Sequence, residues 1–225
     1  MKFNVLFVGM LIGVVISGNA FGWGLPSLPG LPGLPGIGGG SSSSASDPDA
    51  FLAKAQASEQ LVNKSADLLF GLVASKEELA KIEEIKSKMN ATTDPQEQKA
   101  LAQQKMDSEL VEISKACENK NLEVEARGWD DKKKAQGTAA LFNLALGSKM
   151  AADLVPQGQG IISSLTSNPM MVMKLGSLKD AVQCIGGIAS GAARVLTAIP
   201  PIFSAAKIDV ELPKSSTDQP KAIDL

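Results

Sequence analysis

Apolar side chains recur at helical spacing from residue 51 onward, and this pattern predicts α-helices over most of the chain. One face of the first predicted helix carries Phe51, Ala55, Ser58, Val62, Leu69 and Val73. Ser75 and Glu78 have the spacing of a capping box, which favours a new helix start at that point. A second apolar phase runs unbroken through the same region, at Leu61, Leu68, Leu72, Leu79, Ile82 and Met89. The pattern therefore leaves two interpretations of residues 49–89, one helix or two.

Another helix is predicted after the segment NATTDPQEQ. Thr93 or Asp94 is suited to cap it, Pro95 takes its first position, and Gly128 ends it. Its predicted core stripe is Met106, Leu110, Ile113, Cys117 and Val124. Because a short polar turn between two amphipathic helices brings them together in opposite directions, residues 47–128 are predicted to form a charged antiparallel hairpin of the coiled-coil type.

Residues 129–206 are richer in alanine and glycine, which suits closely packed helices. One helix is predicted to end at Pro156, with a loop at PQGQG after it, and a longer helix is predicted from Pro169 to Pro200. Residues 207–225 are predicted to be a polar tail, with a short strand or docking segment at IDVEL. The chain thus predicts an all-α helical bundle over residues 47–206, in which the hairpin packs on an Ala/Gly-rich helical layer.

Residues 1–46 have the composition of a leader and a linker. Lys2, a following apolar run and small residues up to Ala20 predict a signal peptide over residues 1–20, either cleaved or kept as a membrane anchor. Three Gly-Leu-Pro triplets favour an extended polyproline II spacer, and the Gly/Ser run after them is typical of a flexible linker. We therefore expect residues 21–46 to be a disordered linker, in a protein exported to the periplasm or the extracellular space.

The charged residues exclude some classes of partner. The chain has 22 basic and 24 acidic residues, a formal net charge of −2, so no basic field favours binding to nucleic acid. Residues 47–128 hold 11 basic and 16 acidic groups, and residues 129–206 hold 7 basic and 4 acidic groups. The two halves therefore differ in sign, which favours their packing together, although surface ion pairs contribute only about 0–1 kcal/mol each.

Two cysteines, Cys117 and Cys184, allow one disulfide in an exported protein. The alternative is two small buried hydrophobic residues. The predicted helix pattern places Cys117 on the buried stripe and Cys184 at the border of the apolar face.

Few residues suggest chemistry. The chain has no histidine, so the commonest general base and metal ligand is absent, and no catalytic arrangement or cofactor site is predicted. The run NPMMVMK offers thioethers at Met170, Met171 and Met173, the type of ligand that Cu(I) prefers. Flexible methionines filling an irregular core are the favoured interpretation of the same run.

The spacing of Gly187 and Gly191 is typical of helices that approach closely, either in a membrane or inside a soluble bundle. The sequence favours a non-enzymatic binding or scaffold protein that meets a protein partner through its helix faces. The alternative is a membrane-active protein that inserts its region 139–203. The pattern leaves the oligomeric state open.

Overall fold

The computed structural model describes residues 47–165 and 172–223, and of residues 172–174 it describes the backbone alone. The predicted signal peptide and linker lie outside the described residues. Within them the chain forms helices and no strand, so the predicted all-α fold is confirmed. The helices are α1 (Pro48–Val73), α2 (Lys76–Ala91), α3 (Pro95–Cys117), α4 (Lys120–Ala126), α5 (Asp131–Leu165), α6 (Val172–Ala198) and α7 (Pro200–Ala205).

The chain breaks between α1 and α2, so residues 49–89 form two helices. The Ser75 N–H donates to Glu78 Oε2 at 2.7 Å, and the Glu78 N–H donates to Ser75 Oγ at 3.3 Å. This reciprocal pair satisfies backbone donors that the first turn of α2 leaves free. The apolar phase that crosses the break is only partly buried, since Ile82 is in the core while Leu79 is exposed. Of the two sequence patterns, the capping box therefore predicted the break between the helices correctly, and the continuous apolar phase did not.

The hairpin predicted for the first half is formed by α2 and α3. The Asp94 side chain caps α3 by accepting a hydrogen bond from the Gln96 N–H at 2.9 Å, and Pro95 takes the first helical position. One side of α3 packs against α2, and its other sides pack against α1 and α6. The α2–α3 pair is thus joined to the Ala/Gly-rich layer through the contact of α3 with α6, while α1 packs on that layer directly through α5.

Helix α5 lies against both α1 and α6 and runs antiparallel to each. Gly158 lies beside Phe51 and Val182, whereas Gly137, near the other end of α5, lies beside Leu72 and Phe203. A Cβ atom at Gly158 would lie 2.6 Å from Phe51 Cζ, so the helix backbone itself contacts the core side chains there. Glycine is required at this crossing because any side chain would occupy the space that the ring fills.

The predicted loop at PQGQG is wrong, because α5 continues through Pro156 to Leu165. Pro156 is exposed, so its ring lies on the solvent side of the helix. The buried residues around it, Leu154, Gly158, Ile161 and Leu165, keep the spacing of one helix face. Burial of that face against α1 and α6 outweighs the local cost of a proline, which is about 3 kcal/mol in a helix interior.

The predicted core position of Val124 is also wrong, since its side chain is 62% exposed. The predicted single helix up to Gly128 is wrong as well, because α3 ends at Cys117. Asn119 then caps the short helix α4 by accepting a hydrogen bond from the Asn121 N–H at 3.0 Å. This break changes the phase of the following residues, so that α4 packs Leu122 and not Val124 toward α7. Trp129 then closes this end of the bundle, edge-on to Phe203 with ring centroids 6.2 Å apart.

The chain turns out of α7 at Lys207, which has a left-handed φ of 58°. The Ile208 N–H returns to the Phe203 carbonyl at 2.9 Å and closes the helix end in the manner of a Schellman motif. Ile208 and Val210 pack against the main core, so the IDVEL segment docks on the bundle. The rest of the described tail returns along α5 and is not a free polar extension.

Candidate functional site

Helices α3 and α6 run in the same direction and leave a groove between them. Lys99 Nζ lies 3.6 Å from Asp180 Oδ2 near one end of the two helices, and Leu110 lies against Gly191 further along both. The groove has a volume of about 300 Å³. We call it the α3–α6 groove, and it is lined by Asp107, Leu110, Val111, Gly187, Ser190, Gly191 and Arg194.

The groove follows from the two faces of α6. The buried face carries Leu178, Ile185, Ile188, Ala192 and Val195. The opposite face exposes Gln183, Gly187, Ser190 and Arg194, which are small or polar. Since this exposed face has few bulky side chains beside α3, the space between the two helices remains open.

Two glycines of the groove have different structural roles. A Cβ atom at Gly191 would lie 2.8 Å from Leu110 Cδ1, so this glycine lets α3 and α6 approach. Gly187 is exposed, and the nearest atom to its Cβ position is Gln103 Nε2 at 4.0 Å. Gly191 therefore lets Leu110 pack closely on α6, whereas the lack of a side chain at Gly187 leaves the groove open.

The rim of the groove is polar and carries both signs of charge. Cys184 Sγ donates to Gln103 Oε1 at 3.1 Å, and Gln103 Nε2 donates to Asp107 Oδ1 at 3.1 Å. This chain of contacts holds Asp107 at the α3 rim. Arg194 supplies a positive charge from the α6 rim. The groove thus has an apolar floor between the acidic Asp107 on one rim and the basic Arg194 on the other.

The structure does not form the predicted Cys117–Cys184 disulfide, since both thiols are free. Cys184 contacts Gln103, which is 14 residues before Cys117 on the same helix. At about 1.5 Å per residue this separation is about 20 Å along α3, far beyond the reach of a disulfide. Burial raises the pKa of each thiol to about 12, with the charge of Glu118 adding to the effect at Cys117 and that of Glu59 at Cys184. Both side chains are therefore protonated and weakly reactive near neutral pH.

A second polar cluster lies at the junction of α1 and α3. Lys105 Nζ lies 2.6 Å from Asp67 Oδ1 and 2.9 Å from Glu109 Oε1. Glu109 is fully buried and Lys105 nearly so, while Asp67 is half-exposed. We call these residues the Asp67–Lys105–Glu109 cluster. Removal from water disfavours the charged carboxylate and is the main reason that the pKa of Glu109 rises to about 8; Asp67 adds to the rise and Lys105 opposes it.

Helix α2 brings one more cation toward this cluster. Burial lowers the pKa of Lys86, but its hydrogen bond to Glu83 and the negative charges of Asp67, Glu83 and Glu109 outweigh burial, so the pKa is raised. The Lys86 Nζ–Glu83 Oε1 distance is 2.9 Å. The junction of the three helices therefore combines acids and lysines whose charges depend on one another.

The methionines proposed as copper ligands are not placed by the structure. Met170 and Met171 lie outside the described residues, and of Met173 only the backbone is described, in α6. Over residues 47–165 and 172–223, no group of three or more cysteine and carboxylate side chains is arranged to hold a metal ion. The copper hypothesis thus stays a prediction.

Neither the buried pair Lys105 and Glu109 nor the groove was predicted from the sequence. A signal for the cluster was present, because Lys105 and Glu109 immediately precede Met106 and Leu110 of the core stripe, four residues apart. Such positions flank the buried face of a helix, and a pair of opposite charges there can be drawn into the core together. The groove had a partial signal, because the spacing of Gly187 and Gly191 favoured the close approach of another helix. The sequence did not indicate which helix approaches, because α3 and α6 are far apart along the chain.

Comparisons with known proteins identify no relative: no family model, no curated protein and no solved structure matches the chain.

Proposed function

We propose that the chain is an exported, non-enzymatic binding protein that holds a segment of a protein partner in its α3–α6 groove. The observation that carries this proposal is the construction of the groove, with an apolar floor at Leu110 and Val111 between the opposite charges of Asp107 and Arg194. Export is proposed on the leader pattern of residues 1–20. The raised pKa of both thiols and the lack of histidine favour binding over catalysis.

The chemistry of the groove favours a peptide or helix from another protein as the occupant. A space of about 300 Å³ accommodates a few apolar side chains, which would exclude water from the half-buried Val111 and supply the anchor of the interface. The charges at the two rims would then select a partner with an acidic group near Arg194 and a basic group near Asp107. Helices commonly recognise a partner in this way, by accepting an amphipathic segment in an apolar groove.

Filling the groove tests the proposal. Gly187→Leu puts an isobutyl group where the nearest atom is 4.0 Å from the Cβ position, so we expect the fold to persist and partner binding to fall at least about tenfold. The matched control is Gly176→Leu, because Gly176 is exposed on the same helix with no atom within 4 Å of its Cβ position. The measurement is cross-linking and affinity capture from the native compartment. The amount of partner captured is compared between wild type, Gly187→Leu and Gly176→Leu. A partner retained equally by wild type and Gly187→Leu would contradict a role for the groove.

A membrane-active function is the second candidate, and one observation favours it. Among the described residues, the stretch Leu175–Ala205 is long and apolar enough to cross a membrane, and only 33% of its apolar window is buried in the bundle. The exposed side of α6, however, includes Lys179, Asp180 and Arg194, and each charge near a bilayer centre costs about 2.5 kcal/mol or more. The cost of placing these charges in a bilayer therefore favours α6 packed in the folded bundle over α6 inserted in a membrane.

Vesicle flotation separates the two candidates. We expect the purified chain without residues 1–20 to stay at the bottom of a density gradient with phosphatidylcholine vesicles and with vesicles containing anionic lipid. The physical reason is that its apolar face is already buried against α1, α3 and α5. Co-flotation together with release of a trapped dye would support the membrane-active function and count against the groove as the main site.

A further inference from the structure

The described tail folds back on itself over α5. Its first arm passes Lys149, whose Nζ donates to the Lys214 carbonyl at 3.0 Å. The chain then turns at residues 215–218, where Asp218 Oδ2 accepts hydrogen bonds from the N–H groups of Lys214 at 2.7 Å and Ser215 at 3.2 Å. The second arm returns along α5 as far as Asn143.

Asn143 holds the second arm through its backbone. The Lys221 N–H donates to Asn143 Oδ1 at 2.7 Å, and Asn143 Nδ2 donates to the Lys221 carbonyl at 2.8 Å. Only 2% of the Asn143 surface is exposed, and its side-chain amide pairs with both backbone groups of a single residue, the N–H and the carbonyl of Lys221. Such a pair repeats the contact between neighbouring β-strands and recognises an extended backbone whatever its side chains are.

The side chain of the same tail residue is also recognised. Lys221 Nζ lies 4.5 Å from the centroid of the Phe142 ring and 3.3 Å from Glu211 Oε2 on the first arm. A lysine over an aromatic face is favoured electrostatically, because the face of the ring is the negative end of its quadrupole. Phe142 belongs to a small apolar cluster with Leu61, Leu146 and Met150 that is separate from the main core. Two adjacent residues of α5 thus contact the same lysine: Asn143 binds its backbone and Phe142 contacts its side chain.

The arm that occupies this site is held by polar contacts. Over residues 214–223 no side chain is buried, whereas Pro213, just before this arm, is buried. Segments with few buried apolar contacts open at low free-energy cost compared with the core. The receiving side, by contrast, is a rigid helix packed on α1. The site is therefore preformed, and its occupant can leave without disturbing the bundle.

We propose that Asn143 and Phe142 form a peptide-binding site for an extended segment that carries a lysine, and that the C-terminal tail occupies this site as an internal, replaceable ligand. The site shares no residue with the α3–α6 groove, and the inference does not depend on the proposed function. Release of the tail exposes the site to a peptide of the same chemistry from a second protein. A tethered tail competes at an effective concentration of about 1 mM, which sets the affinity that such a peptide needs.

The test uses the full chain and a fluorescent peptide of residues 210–225. Lys221→Pro removes the N–H that Asn143 Oδ1 accepts and also the cation over Phe142, without touching a helix. We expect Lys221→Pro to bind the peptide at least about tenfold more tightly than wild type does, because its own tail no longer competes. Asn143→Ala in the Lys221→Pro chain should reduce this binding at least tenfold, and a peptide carrying the same Lys221→Pro change should not bind.

Hydrogen exchange of residues 214–223 provides the second measurement, and we expect faster exchange in Lys221→Pro with no change in α1 or α5. Unchanged tail exchange would overturn the inference, because the Asn143 contact would then not hold the tail. Two results with a released tail would overturn the inference as well. One is equal peptide binding by wild type and Lys221→Pro. The other is peptide binding that Asn143→Ala leaves intact. Gly187→Leu should leave peptide binding unchanged, which separates this result from failure of the groove proposal.

Discussion

Replacing Gly158 with alanine is expected to destabilise the protein by up to about 2 kcal/mol, although alanine is the better helix former. The new Cβ would lie 2.6 Å from Phe51 Cζ and in contact with the Val182 side chain, so α5 must move away from α1 and α6. Overpacking of this kind costs about 1–3 kcal/mol, and the higher helix propensity of alanine returns only about 1 kcal/mol. Overpacking therefore determines the sign of the change.

Gly160 provides the matched control for this experiment. It lies two residues further along α5 and is exposed, and no atom lies within 4 Å of its Cβ position. Gly160→Ala should therefore stabilise the protein by about 0.5–1 kcal/mol through helix propensity alone. Urea denaturation followed by far-UV circular dichroism measures both variants. If both substitutions stabilised the chain, α5 would not be packed on Phe51 as described.

The free energy of unfolding is expected to fall as the pH rises from about 5 to about 9, because of Glu109. Its pKa in the folded protein, about 8, lies above the value of 4.5 for an unperturbed glutamate. Between these two values the folded state keeps a proton that the unfolded state has lost, so the contribution of Glu109 is complete below pH 4.5 and is lost as the pH passes 8. A shift of this size corresponds to a contribution on the order of 5 kcal/mol over the range.

Glu109→Gln should remove this slope. An amide has nearly the same shape as a protonated carboxyl group and carries no charge, so it avoids the cost of a buried carboxylate at high pH. We expect the variant to be more stable than wild type at about pH 9 and close to it at about pH 5. Denaturant titrations at several pH values measure the effect, with Glu125→Gln as the control because Glu125 is exposed on α4. A wild-type slope that persists in Glu109→Gln would assign the pH dependence to other groups.

The cluster also explains why charged residues are tolerated inside the bundle, at the junction of α1 and α3. Asp67 on α1 lies 2.6 Å from Lys105 Nζ, so the positive charge of this nearly buried lysine has a partner whatever the protonation state of Glu109. Breaking a buried pair by removing one member leaves an uncompensated charge, which costs about 3–5 kcal/mol. The arrangement avoids that state, because Glu109 gains or loses a proton while Lys105 keeps Asp67.

Local signals in the sequence were enough to predict the helices and several of their ends. The capping box at Ser75 and Glu78 and the Asp94–Pro95 start of α3 act over three or four residues, and their hydrogen bonds are present in the structure. The helical spacing of Phe51, Val62 and Leu69 likewise indicated which face of α1 is buried. These features depend on neighbours along the chain, so sequence alone carries them.

The tertiary structure decided what depends on residues far apart in the chain. Gly158 against Phe51 keeps α5 helical beyond Pro156, the parallel packing of α3 and α6 separates Cys184 from Cys117, and Asn143 holds a tail 78 residues away. The free energies of these contacts arise only when helices meet, and they can exceed local preferences such as that of a proline for a helix end. The sequence by itself thus determined that the chain is helical and where most helices begin, and packing between distant segments determined the groove, the buried Glu109 and the tail-binding site.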